Sequence, residues 1–303
     1  MRPTLAPPRP NCLDDAVVLR IAIVGPGRVG QALGLGVVRG GAQLLGFLGR
    51  QPDRSAAACT FAGAGRPLEP AELRSAHLVL FCTGDPELAT AIAALAPFAR
   101  PCSVWLHTSG RFDLQPFAAV PGIRRAALHP VLPFPDAARG AALLAGAPAV
   151  LQAEPNARRL TQGLARRLGM TPIWRDGGSP VLYHAACALA ANGLTALQAS
   201  VDAVFAAAGG LSAADRLRLA QSLARAALDA CADRGPAAAL TGPVRRGDAA
   251  TVAAHLDALR EQAPGQLATY VATMRTSLEL AVAQGLPPPA AAALRGLLGP
   301  GGT

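Results

Sequence analysis

Gly25-Pro26-Gly27-Arg28-Val29-Gly30 has the spacing G-x-G-x-x-G. That spacing suits one kind of chemistry, the holding of a pyrophosphate. It follows an apolar, β-branched run, "VVLRIAIVG" at 17–25, and it opens a helix. Strand, tight glycine turn and helix N-terminus in that order form a dinucleotide fingerprint. Gly25 permits the turn, Gly27 lets the backbone approach a phosphate, and Gly30 lets the helix pack on the sheet. The helix N-terminus adds N–H donors and a favourable dipole. The second strand ends at Gly49-Arg50-Gln51, with Arg54 and Ser55 close behind and no carboxylate before Asp53. A cation plus a hydroxyl there suits the 2′-phosphate of NADP, where NAD would be met by an acid. Thr83-Gly84-Asp85-Pro86 closes a later strand. Thr83 and Gly84 are expected to line the nicotinamide side, while Asp85 either joins them or caps the next helix.

Proton chemistry falls to histidine and tyrosine, because the sequence contains no lysine. Two histidines sit where apolar runs give way to polar loops, His107 in "LHTSG" and His129 in "LHPVLPF". With Ser109 they are candidates to converge beside the cofactor, where a histidine can exchange a proton with a carbonyl or imine. The alternative is that each donates to backbone and holds its loop. Further along, His184, Ala188 and Asn192 are spaced i, i+4, i+8 and share one drifting helical face. His184 is a possible proton donor there, Asn192 a group to orient substrate, and Tyr183 a competing donor. Late in the chain, "ALTGPVRRGDAATVAAHL" sets Thr241, Arg245, Arg246, Asp248 and His255 among alanine-rich helices. Thr241-Gly242-Pro243 reads as a loop holding both arginines, and Asp248 as the N-cap of the helix after it. Arg246 either holds an anionic substrate group or pairs with Asp248. The Arg-Gly-Asp within it is too short to argue for cell adhesion.

The elements that position these residues alternate β and α over the first 175 or so positions, which predicts a doubly wound, mostly parallel sheet. After Val181 no strand is evident. The predicted fold is α/β: a Rossmann-type domain over 17–178, an all-helical domain over 179–303, and a disordered lead-in over 1–16.

Hydrophobic residues make up 51% of the 303 positions and charged residues only 16%, so much surface is to be buried in a core or an oligomer interface. The net charge is +9, but the arginines are scattered and not interleaved with aromatics, which argues against a nucleic-acid partner. The six cysteines form no C-x-x-C pair and no metal spacing. They read as reduced thiols of a cytoplasmic protein, with Cys82 and Cys187 buried. The N-terminus lacks an apolar signal core, and no stretch of about 20 uninterrupted apolar residues predicts a membrane span.

Taken together, GPGRVG, HTSG, HP with a Phe four residues after the Pro, YHAACALAANGLTAL and ALTGPVRRGD resemble a bacterial family of oxidoreductases. That family joins a Rossmann-like domain to a helical domain of unknown function, number 2520. The resemblance implies NADP binding and dimerisation through the helical domain; the expectation of a small anionic substrate rests on Thr241, Arg246 and Asp248. Related groups are the deazaflavin-dependent NADP reductases, pyrroline-carboxylate reductases and β-hydroxyacid dehydrogenases, and some members look like a second type of ketopantoate reductase. The chain departs from the β-hydroxyacid dehydrogenases where they carry a catalytic Lys four residues before an Asn, since Ala188 precedes Asn192. Two functions are therefore expected to compete: an NADP-dependent reductase of a carboxylate-bearing carbonyl or imine, and a sensor that binds NADP without turnover.

Overall fold

The computed structural model describes residues 18–299. The expected lead-in 1–16, Cys12 and Val17 lie outside the described residues. Eight strands form one sheet: β1 Arg20–Val24, β2 Gln43–Leu48, β3 Arg66–Pro67, β4 Leu78–Phe81, β5 Val104–His107, β6 Arg124–Pro130, β7 Pro148–Ala153 and β8 Thr171–Trp174. Their order is β3-β2-β1-β4-β5-β6-β7-β8. All neighbouring pairs are parallel except β6 with β7. β3 escapes sequence reading because its 2 residues show no period.

The helices of this part are α1 Arg28–Arg39, α2 Pro52–Ala62, α3 Asp85–Leu95, α4 Ala137–Ala142, α5 Arg158–Arg167 and α6 Pro180–Ala188. Successive strand residues face opposite sides, and here both sides are covered. Ile21, Ile23, Leu78 and Leu80 pack with Leu33 and Val37 of α1 and Leu164 of α5. Ala22, Val24, Val79 and Phe81 pack with Leu88 and Ile92 of α3. Burial on both faces explains why β1 and β4 read as unbroken apolar runs rather than alternating ones.

The chain divides into two compact units after Ala188, rather than at 178 as expected. α6 thus belongs with the sheet; its Tyr183 is hydrogen-bonded to His129 of β6. The second unit contains α7 Leu194–Ala208, α8 Ala213–Arg234, α9 Pro236–Ala239, α10 Gly242–Arg246, α11 Ala249–Gln262, α12 Leu267–Ala283 and α13 Pro288–Leu298, and no strand among the described residues. Its core is Val244, Val252, Leu256, Leu278 and Leu294 with their neighbours. Ser212 caps α8 by accepting from the Asp215 N–H at 3.1 Å.

Three expectations are corrected. The i, i+4, i+8 face of His184, Ala188 and Asn192 does not run through, because Leu189–Gly193 is a π-helical turn. Its wider i→i+5 bonding resets the register that the 3.6 period assumes. Thr241-Gly242-Pro243 does not open a loop: Thr241 is the N-cap of α10, and Arg245 and Arg246 form its last turn. Proline is tolerated there because a first-turn N–H has no intrahelical partner anyway, and Gly247, at φ 72°, ends the helix. Finally, the stretch Pro180–Ala208 is, by length and composition, long and apolar enough to cross a membrane. It carries Tyr183, His184, Asn192 and Asp202, polar groups that hydrocarbon accommodates only at a cost.

Candidate active site

β1 lies between β2 and β4, and the chain leaves it through α1 towards β2, so the crevice at the carboxyl ends of β1 and β4 is a topological switch point. Gly25, directly after β1, has φ 102°, and a Cβ there would meet the Cys82 carbonyl group at 2.8 Å. Its N–H donates to the Leu48 carbonyl at 2.9 Å. A Cβ on Gly30 would lie 2.1 Å from the Gly25 carbonyl oxygen, so the turn and the first turn of α1 fit only as glycine. Gly27 differs. It is the N-cap of α1, and a Cβ there would meet nothing within 4 Å.

That open space belongs to a cavity of about 730 Å³ whose lining includes Gly25, Pro26, Gly27, Arg50, Arg54 and Thr83. The Thr83 hydroxyl is buried without a hydrogen-bond partner, an unmet polar atom of the kind a ligand satisfies. Cavity size, glycine cradle, paired guanidiniums and orphaned hydroxyl all fit a dinucleotide. Gly84 lines the cavity as well and is the N-cap of α3. Asp85 is the first residue of that helix and makes no cap bond, so the capping expectation fails. Ser55 is 2% exposed and is not part of the lining; the second strand's end offers two cations but not the expected hydroxyl. Arg28 turns aside to donate to the Pro135 carbonyl at 3.1 Å, and Val29 packs against the core. Burial pushes the Cys82 thiol up to about 12, which leaves it unreactive.

A second cluster gathers around His129. Its Nδ1 is 2.7 Å from the Tyr183 hydroxyl, and the rings meet edge to face at 5.5 Å. The His184 ring lies 6.3 Å away. Burial first, then the neighbouring His184, push the His129 pKa down to about 4, so the ring is neutral near pH 7. Burial and a hydrogen bond with Cys187 raise that of Tyr183. Cys187, expected to be buried, is half-buried.

His107 is fully buried and stacks on Phe117 at 5.6 Å. Its Nε2 is 2.7 Å from the Asp113 carbonyl oxygen, to which it donates. Burial lowers its pKa, against the pull of that carbonyl. These are the marks of a histidine that pins a loop rather than of one that reaches a substrate. Ser109 accepts from the Arg111 N–H at 3.1 Å, within the same loop.

In the helical unit, Asp248 caps α11 as expected, accepting from the Thr251 N–H at 3.0 Å and from its hydroxyl at 2.7 Å. Those bonds, the backbone one first, hold its carboxyl below the usual range. Asp248 and Arg246 form no ion pair among the described residues. Arg246 is exposed, and its guanidinium is available to an anion. Thr241 and Asn192 are also exposed.

Sequence reasoning missed Gly110 and Arg175. A Cβ at Gly110 would lie within 2.8–3.0 Å of three His129 ring atoms, so the glycine ending HTSG makes room for that imidazole. Arg175 stacks on Tyr183 at 5.1 Å. It follows β8 with no motif around it, and only the fold brings it to the tyrosine.

A family profile described as "Domain of unknown function (DUF2520)" matches residues 147–298. Among solved structures, a candidate NADP oxidoreductase from Bacteroides fragilis aligns with TM-score 0.71 at 18% identity, covering 86% of this chain and 98% of that one. The Thermotoga maritima protein TM1727 aligns with TM-score 0.69 at 20% identity, covering 86% and 99%. A 1-pyrroline-5-carboxylate reductase from Streptococcus pyogenes aligns with TM-score 0.59 at 16% identity, covering 88% and 98%. At these identities the likeness is one of fold. No curated protein matches the chain.

Proposed function

We propose that this chain, which belongs to the DUF2520 family, is an NADP-dependent oxidoreductase that reduces a carbonyl or imine on a small carboxylate-bearing molecule. One observation carries the reading: a cavity at the switch point joins an open glycine cradle, two guanidiniums and the unpaired Thr83 hydroxyl. Gly25, Gly27 and the N-terminus of α1 would hold the pyrophosphate, Arg50 and Arg54 the 2′-phosphate, and Thr83 with Gly84 the nicotinamide side. When bound, such a cofactor supplies hydride. The His129–Tyr183 pair supplies proton chemistry on the carboxyl-end side of the same sheet. The names of the similar structures, an NADP oxidoreductase and a pyrroline-carboxylate reductase, support the class. A 2-keto acid resembling ketopantoate is the substrate we favour within it.

The test is a panel of 2-keto acids and cyclic imino acids, scored by NADPH oxidation. Turnover of any member supports the reading; tight NADPH binding with no turnover across the panel would favour a sensor. Arg50→Ala and Arg54→Ala should each weaken NADPH binding about tenfold while leaving NADH within about twofold, since one charge-assisted phosphate contact is worth roughly 1.5–3 kcal/mol. Calorimetric titration with both cofactors checks this, and equal losses for the two would remove the 2′-phosphate assignment.

We further propose that a second copy covers the helical unit. α8 exposes Leu217, Leu219, Leu223 and Leu228, and α7 buries none of its residues. Exposed apolar area of this kind marks an interaction face. Sedimentation equilibrium should return a dimer, and a monomer at high micromolar concentration would contradict it. The five described cysteines are free, which suits the reducing cytoplasm we assign it to.

A further inference from the structure

The chain has two tyrosines, and each hydroxyl is hydrogen-bonded to the Nδ1 of a histidine. Tyr183 meets His129 at 2.7 Å, and Tyr270 of α12 meets His255 of α11 at 2.8 Å. The ring geometries match, edge to face at 5.5 Å and 5.9 Å. What surrounds the two pairs does not. Arg175 places its guanidinium 5.1 Å from the Tyr183 ring centroid, and no guanidinium stacks on Tyr270 among the described residues. That cation is itself held. Its Nη1 donates to the Gly177 carbonyl at 3.1 Å and its Nη2 to the Gln152 side-chain oxygen at 3.0 Å. His129 is held too, its imidazole filling the space that Gly110 leaves open. One pair is thus locked beside a fixed positive charge, near the carboxyl end of β6, on the side of the sheet to which β1 and β4 also run their carboxyl ends; the other is a helix-to-helix contact.

We propose that Tyr183 is the group that delivers a proton to the substrate and that His129 reloads it, with Arg175 stabilising the tyrosinate between the two transfers. This rests on the reductase reading above. As the substrate carbon is reduced by hydride from a reduced nicotinamide dinucleotide, the electron pair of its double bond moves to oxygen or nitrogen. The Tyr183 O–H bond breaks and a new O–H or N–H bond forms there. The His129 Nδ1–H then gives its proton to the tyrosinate oxygen, while Nε2 takes one from water. The ring ends neutral in its other tautomer and returns by exchange with solvent. A chain with no lysine has no lysine ammonium to play Arg175's part.

The remaining groups around the pair agree with these roles. His129 is faced by His184 of the same helix as Tyr183, by Asp85 of α3, by His107 of β5 and by Arg175. Burial leads that set and keeps the ring neutral, so it is a relay and not an imidazolium acid. Tyr183 is faced by Cys187 and Arg175. It stays protonated at neutral pH, as a donor must, until a far stronger base develops on the substrate.

The experiment uses the full chain, with Tyr270→Phe as the control for losing the other pair. Tyr183→Phe should lower kcat on the best panel substrate by about a hundredfold or more, with NADPH affinity within twofold of the parent. His129→Gln should lower kcat by about tenfold, bind NADPH normally and raise the solvent deuterium isotope effect on kcat. Imidazole nitrogen NMR, which needs no turnover, should show His129 neutral down to about pH 4 and its Nδ1 signal displaced by Tyr183→Phe. Turnover within twofold of the parent in Tyr183→Phe overturns the proposal, and so does a His129 signal that ignores that substitution. If the parent oxidises NADPH with no panel member, the reductase reading itself has failed, an outcome distinct from a Tyr183 variant that still turns over.

Discussion

Gly27→Ala should melt within about 4 °C of the parent protein and yet bind NADPH about a hundredfold more weakly. The two halves of that result have separate causes. Gly27 has φ −81° and ψ −173°, extended backbone that alanine adopts without strain. Its added methyl would meet nothing within 4 Å. Replacing an N-cap glycine with alanine costs at most about 1 kcal/mol, so the fold should barely register the change. The methyl would, however, occupy the space in which a pyrophosphate must approach the helix N-terminus, and close backbone approach is what that glycine provides. Gly30→Ala behaves differently, because its methyl would be driven into the Gly25 carbonyl oxygen at 2.1 Å. α1 would have to move off the sheet, and stability and binding should fall together. Scanning calorimetry beside NADPH titration separates the two cases. Undiminished NADPH affinity in Gly27→Ala would show that the cradle holds something else.

Lowering the pH from 7.5 to 5 should remove about 2 kcal/mol of stability through His129 alone. An unfolded histidine titrates near 6.5, and in the fold His129 is pushed down to about 4. Above 6.5 both states are neutral and nothing is lost. Between 6.5 and 4 the unfolded chain binds a proton that the folded chain refuses, so stability falls with pH across that window and levels off below it. His107 and His77 are also lowered, burial leading in both, and they add losses of the same sign. The Nδ1 of His77 accepts from the Arg20 N–H at 3.2 Å, a bond that protonation would break. Urea unfolding at a series of pH values measures the slope. His129→Gln should remove about 2 kcal/mol of that loss, leaving the part due to His77 and His107; an unchanged slope would mean that His129 is not held neutral.

The cofactor half of the candidate site was legible because its demands are local. A strand, a turn that only glycine can make and a helix N-terminus are contiguous in sequence; a Cβ on Gly25 or Gly30 would clash with backbone, and one on Gly27 would enter open space. Arg50 and Arg54 likewise end up in the cavity lining. Ser55 did not, because one step along α2 turns a side chain by about 100°, here from the cavity into the core. The proton-transfer half was only partly legible. His129 and Tyr183 stood out as residue types, but their contact spans 54 positions and depends on α6 belonging with the sheet. Gly110 and Arg175 carry no spacing signal, since what matters is the ring each one faces. The face of His184 and Asn192 was misread for another reason. A π turn looks like an ordinary apolar helix in sequence, and it changes which residues align after it.

The most direct test of the central claim is a calorimetric titration of the parent protein with NADPH and then with NADH. Binding of one NADPH per chain at micromolar or tighter affinity is expected, with NADH weaker by about tenfold or more for want of the phosphate that Arg50 and Arg54 would grip. Absence of binding by either, or equal affinity for the two, would contradict the assignment of the β1–β4 crevice as an NADP site.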